Sequence, residues 1–161
     1  LNVNKFLFEY LKSGKQQPLL VIPTLSNAMD VGNPSNFARI LALYQNDQHK
    51  INQIIYGRSY SDDSTRRAIR EIYSKYGYIM DPHGAVGYLA LEEYLAEENI
   101  TDFQGIVLET AHPAKFSTAV KEELQIEIEM PQSLKEAFSK EKNAIKISNE
   151  FKDFKNFLLN M

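Results

Sequence analysis

The run Thr110-Ala111-His112-Pro113-Ala114-Lys115-Phe116 follows directly on Phe103-Gln104-Gly105-Ile106-Val107-Leu108-Glu109. The short, β-branched core of the second run, flanked by polar residues, predicts a buried strand of a parallel sheet. His112-Pro113 then opens a helix, with Lys115 in its first turn. In open α/β sheets ligands bind beyond the carboxyl ends of strands, where loops lead into helix N-termini. A hydroxyl, an imidazole and an ammonium group meet at such a place here. Free N–H groups, the helix dipole and the lysine together suit an anionic ligand. The same residues also fit a plainer role, in which Thr110 and His112 cap the helix and Lys115 is solvated.

Working outward, most of the chain reads as helices. Asn33 before Pro34 predicts a helix start, and Phe37, Ile40, Leu41 and Tyr44 then form one apolar face. Ser61-Asp62-Asp63 predicts a second start, with Ile69, Ile72, Tyr73 and Tyr76 on one face up to Gly77. Asp81-Pro82 opens a third helix, through Val86, Leu89, Ala90 and Leu95 to about Glu97. Gly84 and Gly87 lie in its first two turns, where each costs about 1 kcal/mol relative to alanine. Something must approach that face: either a packed neighbour or a ligand at exposed backbone N–H groups. Further helices begin near Pro131 and Asn149, the last with Phe151, Phe154 and Leu158 as expected core. A second candidate strand is Leu19-Leu20-Val21-Ile22. Helices outnumber strands, so the expected class is a helix-rich α/β fold with an incomplete sheet.

The 161 residues, 43% of them hydrophobic, suffice for one domain or the larger part of one. A formal net charge of −3 with interspersed signs gives no basic stripe for nucleic acid. There is no cysteine, which excludes disulfides and thiolate zinc sites and makes a reducing compartment the default. No apolar run approaches the roughly 20 residues that span a bilayer, and no leader pattern is present, so a cytoplasmic location without membrane contact is expected. Leu1 in place of methionine suggests a chain cut from something longer. The 3 histidines, His49, His83 and His112, lack partners at ligand spacing, so no metal site is expected. None of the 7 glycines forms a phosphate-cradling loop, and a cofactor phosphate would need another segment to hold it. The long polar loop Thr24 to Phe37 is a further place for binding residues.

Three segments in order resemble threonine synthase. They are Leu25-Ser26-Asn27-Ala28-Met29-Asp30 with the Pro34-Ser35-Asn36-Phe37 helix start, Asp81-Pro82-His83-Gly84-Ala85-Val86-Gly87-Tyr88, and Thr110 to Phe116. Asn2-Val3-Asn4 resembles a family segment too, while beyond Phe116 the match is loose.

The resemblance implies the C-terminal portion of a fold type II pyridoxal-phosphate enzyme of the tryptophan-synthase-like group. Residues 1–161 would be one C-terminal portion, with a helical insertion at about 34–80 and a cofactor-facing strand and helix at about 103–124. It implies conversion of O-phospho-L-homoserine and water to L-threonine and phosphate, a carbon-oxygen lyase reaction using pyridoxal 5'-phosphate. Thr110 would face the pyridine nitrogen. Lys115, His83, Ser26, Asn27, Asn36 and His112 would be candidates for the substrate's phosphate and amino-acid groups. The family's Schiff-base lysine and its phosphate loop have no counterpart in this chain, and both are expected upstream. The chain alone is then expected to be inactive, with the N-terminal remainder of the same enzyme as its partner. Two other readings stay open: a non-catalytic helical interaction module, and another pyridoxal-phosphate lyase of the same fold group.

Overall fold

The computed structural model describes residues 1–27 and 30–160, so Ala28 and Met29 of the Thr24 to Phe37 loop lie outside the described residues. Eight α-helices are formed among the described residues: α1 (Phe6–Ser13), α2 (Phe37–Leu43), α3 (Gln48–Asn52), α4 (Asp62–Tyr76), α5 (Pro82–Glu97), α6 (Ser117–Leu124), α7 (Gln132–Ser139) and α8 (Phe151–Leu159). A 3-10 turn, Pro113–Phe116, runs straight into α6. The chain divides into two compact units, Leu1–Glu129 and Met130–Met161.

The long helices start where their capping residues place them. Ser61 accepts from the N–H of Ser64 at the head of α4, and Asp81 from that of His83 at the head of α5, with Pro82 in the first turn. Gly77 closes α4 at φ 66°, a left-handed conformation that favours glycine. The expected start at Asn33-Pro34 is displaced. Phe37 N–H donates to Pro34 O at 3.1 Å, closing a turn, and α2 begins only at Phe37.

Two apolar cores fill the first unit. Phe6, Tyr10 and Leu11 of α1 meet Phe37 and Leu41 of α2 and Ile51 of α3. The Phe37 ring takes edge-on contacts from Tyr10 at 4.7 Å and Phe6 at 5.2 Å, the geometry that the ring quadrupoles favour. The other core joins Ala68, Ile69 and Ile72 of α4 to Met80 and Ala85. Ile51 and Ile69 are fully buried, each contributing about 1.5–3 kcal/mol.

Neither expected strand forms. No β-strand occurs among the described residues, and Leu20, Ile106 and Leu108 are exposed at 93%, 83% and 77%. A strand is stable only when its backbone is paired and its faces are covered, and neither segment finds a neighbouring strand among the described residues. Residues 105–109 still alternate as a strand does. Val107 and Glu109 are half-buried against α5 while Ile106 and Leu108 point away. In the second unit Phe151, Phe154 and Leu158 are exposed rather than core among the described residues.

Candidate functional site

The polar loop after Ile22 is fastened by the first residues of the chain. Asn2 donates to the hydroxyls of Thr24 at 2.9 Å and Ser26 at 3.0 Å. Asn4 donates to Ile22 O and Asp30 Oδ1 and accepts from Ile22 N–H. Asp30 in turn accepts from the Thr24 hydroxyl at 2.7 Å, and Asp62 of α4 accepts from Leu25 N–H at 3.0 Å. Asn4, Thr24 and Ser26 are buried with their bonds made, which fixes the loop against the head of α4.

The fixed loop forms one side of a cleft of about 370 Å³. Asn27 stands on that side, Arg66 of α4 on another, and Lys115, Ser117 and Thr118 of the 3-10 turn and α6 complete it. Lys115 is exposed. The Arg66 guanidinium is engaged by Glu123 at 2.6 Å and more loosely by Glu122 at 3.7 Å, and the Glu123 bond raises its pKa further. Burial would raise the Glu123 carboxyl, yet Arg66 and Arg70 hold it below the usual carboxylate range.

Beside the cleft lies the head of α5. Asp81 is fully buried, and its Oδ1 accepts from both the N–H and the ring Nδ1 of His83, each at 2.9 Å. The His83 ring packs on Phe116 with centroids 5.1 Å apart, joining α5 to the 3-10 turn. Glu109 brings its carboxyl against Asp81 and against the backbone of Gly84. A Cβ on Gly84 would stand 2.0 Å from Glu109 Oε1, so the packed neighbour explains this glycine. Thr110 follows, exposed.

The seven expected site residues are therefore distributed. Asn27 and Lys115 share the cleft, with Ser26 buried beneath its loop. His83 stands in the first turn of the neighbouring α5, and Thr110 follows the Glu109 that packs on Gly84. His112 Nδ1 accepts from Ala114 N–H at 3.1 Å and so caps the 3-10 turn, which leaves the proton of a neutral ring on Nε2. Asn36 lines a separate apolar hollow with Leu1, Phe6 and Phe37. Arg66 and Glu109 escape sequence reasoning. Arg66 carries no motif, and Glu109 reads as a polar strand terminus until its contact with Gly84 is seen.

A sequence profile described as Threonine synthase, C-terminal, matches residues 84–158. Threonine synthase of Buchnera aphidicola subsp. Schizaphis graminum is 34% identical over 158 residues, covering 98% of this chain and 35% of the relative. The chain is homologous to the C-terminal part of threonine synthases. The Escherichia coli threonine synthase is 36% identical over 135 residues, 84% of this chain and 30% of the relative. Its crystal structure superposes with a TM-score of 0.80 at 31% identity, over 99% of this chain and 36% of that one. The structure of pyridoxal-phosphate-bound threonine synthase from Brucella melitensis superposes at 0.70 with 26% identity, over 99% of this chain and 39% of that one. This chain thus spans about a third of the length of the threonine synthases it matches.

Proposed function

We propose that the full-length protein carrying this chain is a pyridoxal-phosphate-dependent threonine synthase acting on O-phospho-L-homoserine, and that this chain supplies one wall of its active site. The observation that carries this is the meeting of Asn27, Lys115, Ser117 and Thr118 around one cleft, beside the helix head that carries His83, with Thr110 next in sequence to the Glu109 that packs there. Lys115 offers the charge, and Asn27, Ser117 and Thr118 offer donors, for the anionic group of the substrate. Asn2, Asn4 and Asp62 keep the Asn27 loop in place before substrate arrives, which removes an ordering cost from binding. Ser26 and His112 act through the segments they brace, His83 presents its ring at the edge of the site, and Asn36 stands farther out.

Thr110 fits the cofactor in a limited way. An exposed hydroxyl at the end of residues 105–109 can face a ring nitrogen, whereas the sequence has no glycine-rich loop for a phosphate. When bound, pyridoxal phosphate supplies the electron sink for the reacting amino acid. A neutral hydroxyl holds the ring nitrogen without the charge of a carboxylate, so the ring is less strongly protonated and its pull on electrons is moderated. That favours elimination and replacement over transamination.

The Schiff-base lysine and the phosphate loop belong, in this reading, to the N-terminal remainder, which also covers Ile106, Leu108 and residues 19–22 and completes the sheet. Residues 34–80 are its helical insertion, and the location is the cytoplasm. No helix among the described residues is long and apolar enough to cross a membrane.

The test is a product assay on the full-length protein with O-phospho-L-homoserine, which is expected to yield threonine and phosphate in equal amounts. Release of a different product would refute the assignment. Lys115→Ala is expected to raise KM about tenfold or more, corresponding to loss of one charge-assisted bond of about 1.5–3 kcal/mol. Unchanged KM and kcat would exclude Lys115 from the phosphate.

A further inference from the structure

The pair Asp81 and Glu109 has no part in the reading above, and its geometry poses a definite question. Asp81 Oδ1 is fully used by His83, which leaves Oδ2. Asp81 Oδ2 and Glu109 Oε1 are both buried and meet no N–H or hydroxyl donor among the described residues. The two carboxyls face each other. Two buried carboxylates in contact would repel, with neither satisfied. No group of three or more acidic or histidine side chains among the described residues is arranged to hold a metal ion that would bridge them. Among the described residues, the donor left to satisfy both oxygens is a proton on one of the carboxyls themselves.

We propose that Glu109 is a positioning residue, held as the neutral acid and donating its proton to Oδ2 of Asp81, so that Asp81 stays fixed as the cap of α5 and the anchor of the His83 ring. The assignment of the proton follows from the surroundings. Asp81 receives the His83 N–H and ring N–H, which favour its charged form, while Glu109 lies between Asp81 and the Gly84 backbone with no cation beside it. Burial first, then the hydrogen bond between the two side chains and the charge of Asp81, push Glu109 up to about 8, against a backbone hydrogen bond from Asp81 that pulls the other way. Burial would raise Asp81 as well, but hydrogen bonds from Glu109 and His83 hold it below its usual range. The other titratable group that senses both carboxyls is Tyr78, raised by burial and then by Glu109 and Asp81, and therefore a neutral phenol.

With Asp81 fixed, a neutral His83 ring carries its proton on Nδ1 and keeps the Nε2 lone pair as an acceptor. The inference rests on packing and stands whether or not the reaction assignment holds.

Infrared difference spectroscopy on the full-length protein tests the proton directly. The parent at pH 7 is expected to show the carbonyl stretch of a protonated carboxylic acid that Glu109→Gln lacks, and the band should fade as pH rises past about 8. Superimposable parent and E109Q spectra in that region, or a band insensitive to pH up to 10, would overturn the proposal. The pH series needs no variant, so it decides even if a substitution prevents folding. Nitrogen NMR of labelled histidine, with His83 assigned by its loss in His83→Gln, tests the positioning. Glu109→Gln, whose amide still donates, should keep the single Nδ1–H tautomer, and Glu109→Ala should give mixed tautomers. Mixed tautomers in both, or a single tautomer in both, would sink the positioning role.

Discussion

Gly84→Ala separates two opposing effects at one position. Helix propensity alone predicts that alanine stabilises α5 by about 1 kcal/mol. The structure predicts the reverse. The new Cβ would stand 2.0 Å from Glu109 Oε1, 2.5 Å from its carboxyl carbon and 3.0 Å from Oε2. The carboxyl is not a free side-chain end that can swing away, because it is held against Asp81. Crowding of this kind costs about 1–3 kcal/mol. Displacing Glu109 also leaves Asp81 Oδ2 buried without a donor, at a further cost of about 1–3 kcal/mol. Set against the propensity gain, the net expectation is destabilisation by about 3 kcal/mol, seen as a lower urea midpoint at unchanged slope. The background decides the cause. In Glu109→Ala protein there is no carboxyl to meet, so the same substitution should stabilise by about 1 kcal/mol, a coupling of about 4 kcal/mol. Equal effects in the two backgrounds, or stabilisation in the parent, would refute the close packing of Glu109 on α5.

Three more expectations follow from the same geometry. Ile69→Ala empties a fully buried site between α4 and α5 and should destabilise by about 3 kcal/mol in urea denaturation, against under 1 kcal/mol for an exposed position such as Leu43. Folded Glu109 holds a proton that the unfolded carboxyl releases near its ordinary 4.5, so stability should fall as pH rises between about 5 and 8, and Glu109→Gln should flatten that slope; a slope unchanged in the variant would assign it to other groups. Thr110→Asp in the full-length protein should shift the product ratio toward transamination, read from keto-acid release, and an unaltered ratio would remove Thr110 from the ring nitrogen.

Local signals made the helices legible. Ser61, Asp81 and Gly77 act on backbone groups within four residues, so their effect does not depend on distant sequence. The start at Asn33-Pro34 fails because Phe37 N–H, which a helix beginning there would donate to Asn33 O, donates to Pro34 O instead and closes a turn. The cleft was legible in part. Asn27 and Lys115 stand in motifs that carry the family resemblance, but their meeting depends on Asn2 and Asn4 fastening a loop some twenty residues away. His112 makes the capping bond of the plainer alternative through its Nδ1. The strands and the α8 face do not form as expected among the described residues for one reason: apolar alternation records what a segment buries in its complete surroundings, and Ile106, Leu108, Phe151 and Leu158 lack that cover there.

Residues 105–109 nevertheless keep a defined register, and this register places the site. Gly105 lies against Leu91, Val107 against Gly87 and Glu109 against Gly84, so the segment runs antiparallel to α5. Two residues of extended chain cover about 6.6 Å, and three or four residues of helix cover about 4.5–6 Å, so the two repeats stay in step for the length of this contact. Small residues on α5 are what let the segment approach: glycine at 84 and 87 opens space on one helix face for an acidic and a branched side chain in turn. The last contact of the series, Glu109 on Gly84, is also the one that bears on Asp81 and His83. Thr110 thereby follows directly on the contact at the N-terminal end of α5, and the next six residues, closing in the 3-10 turn, bring Phe116 onto His83. A slip of two residues would lift Glu109 off Asp81 and carry Thr110 about 6.6 Å along the helix axis. The glycines of α5 thus serve the site by fixing the distance between a side chain on the segment and the imidazole on the helix, even though neither glycine touches the cleft.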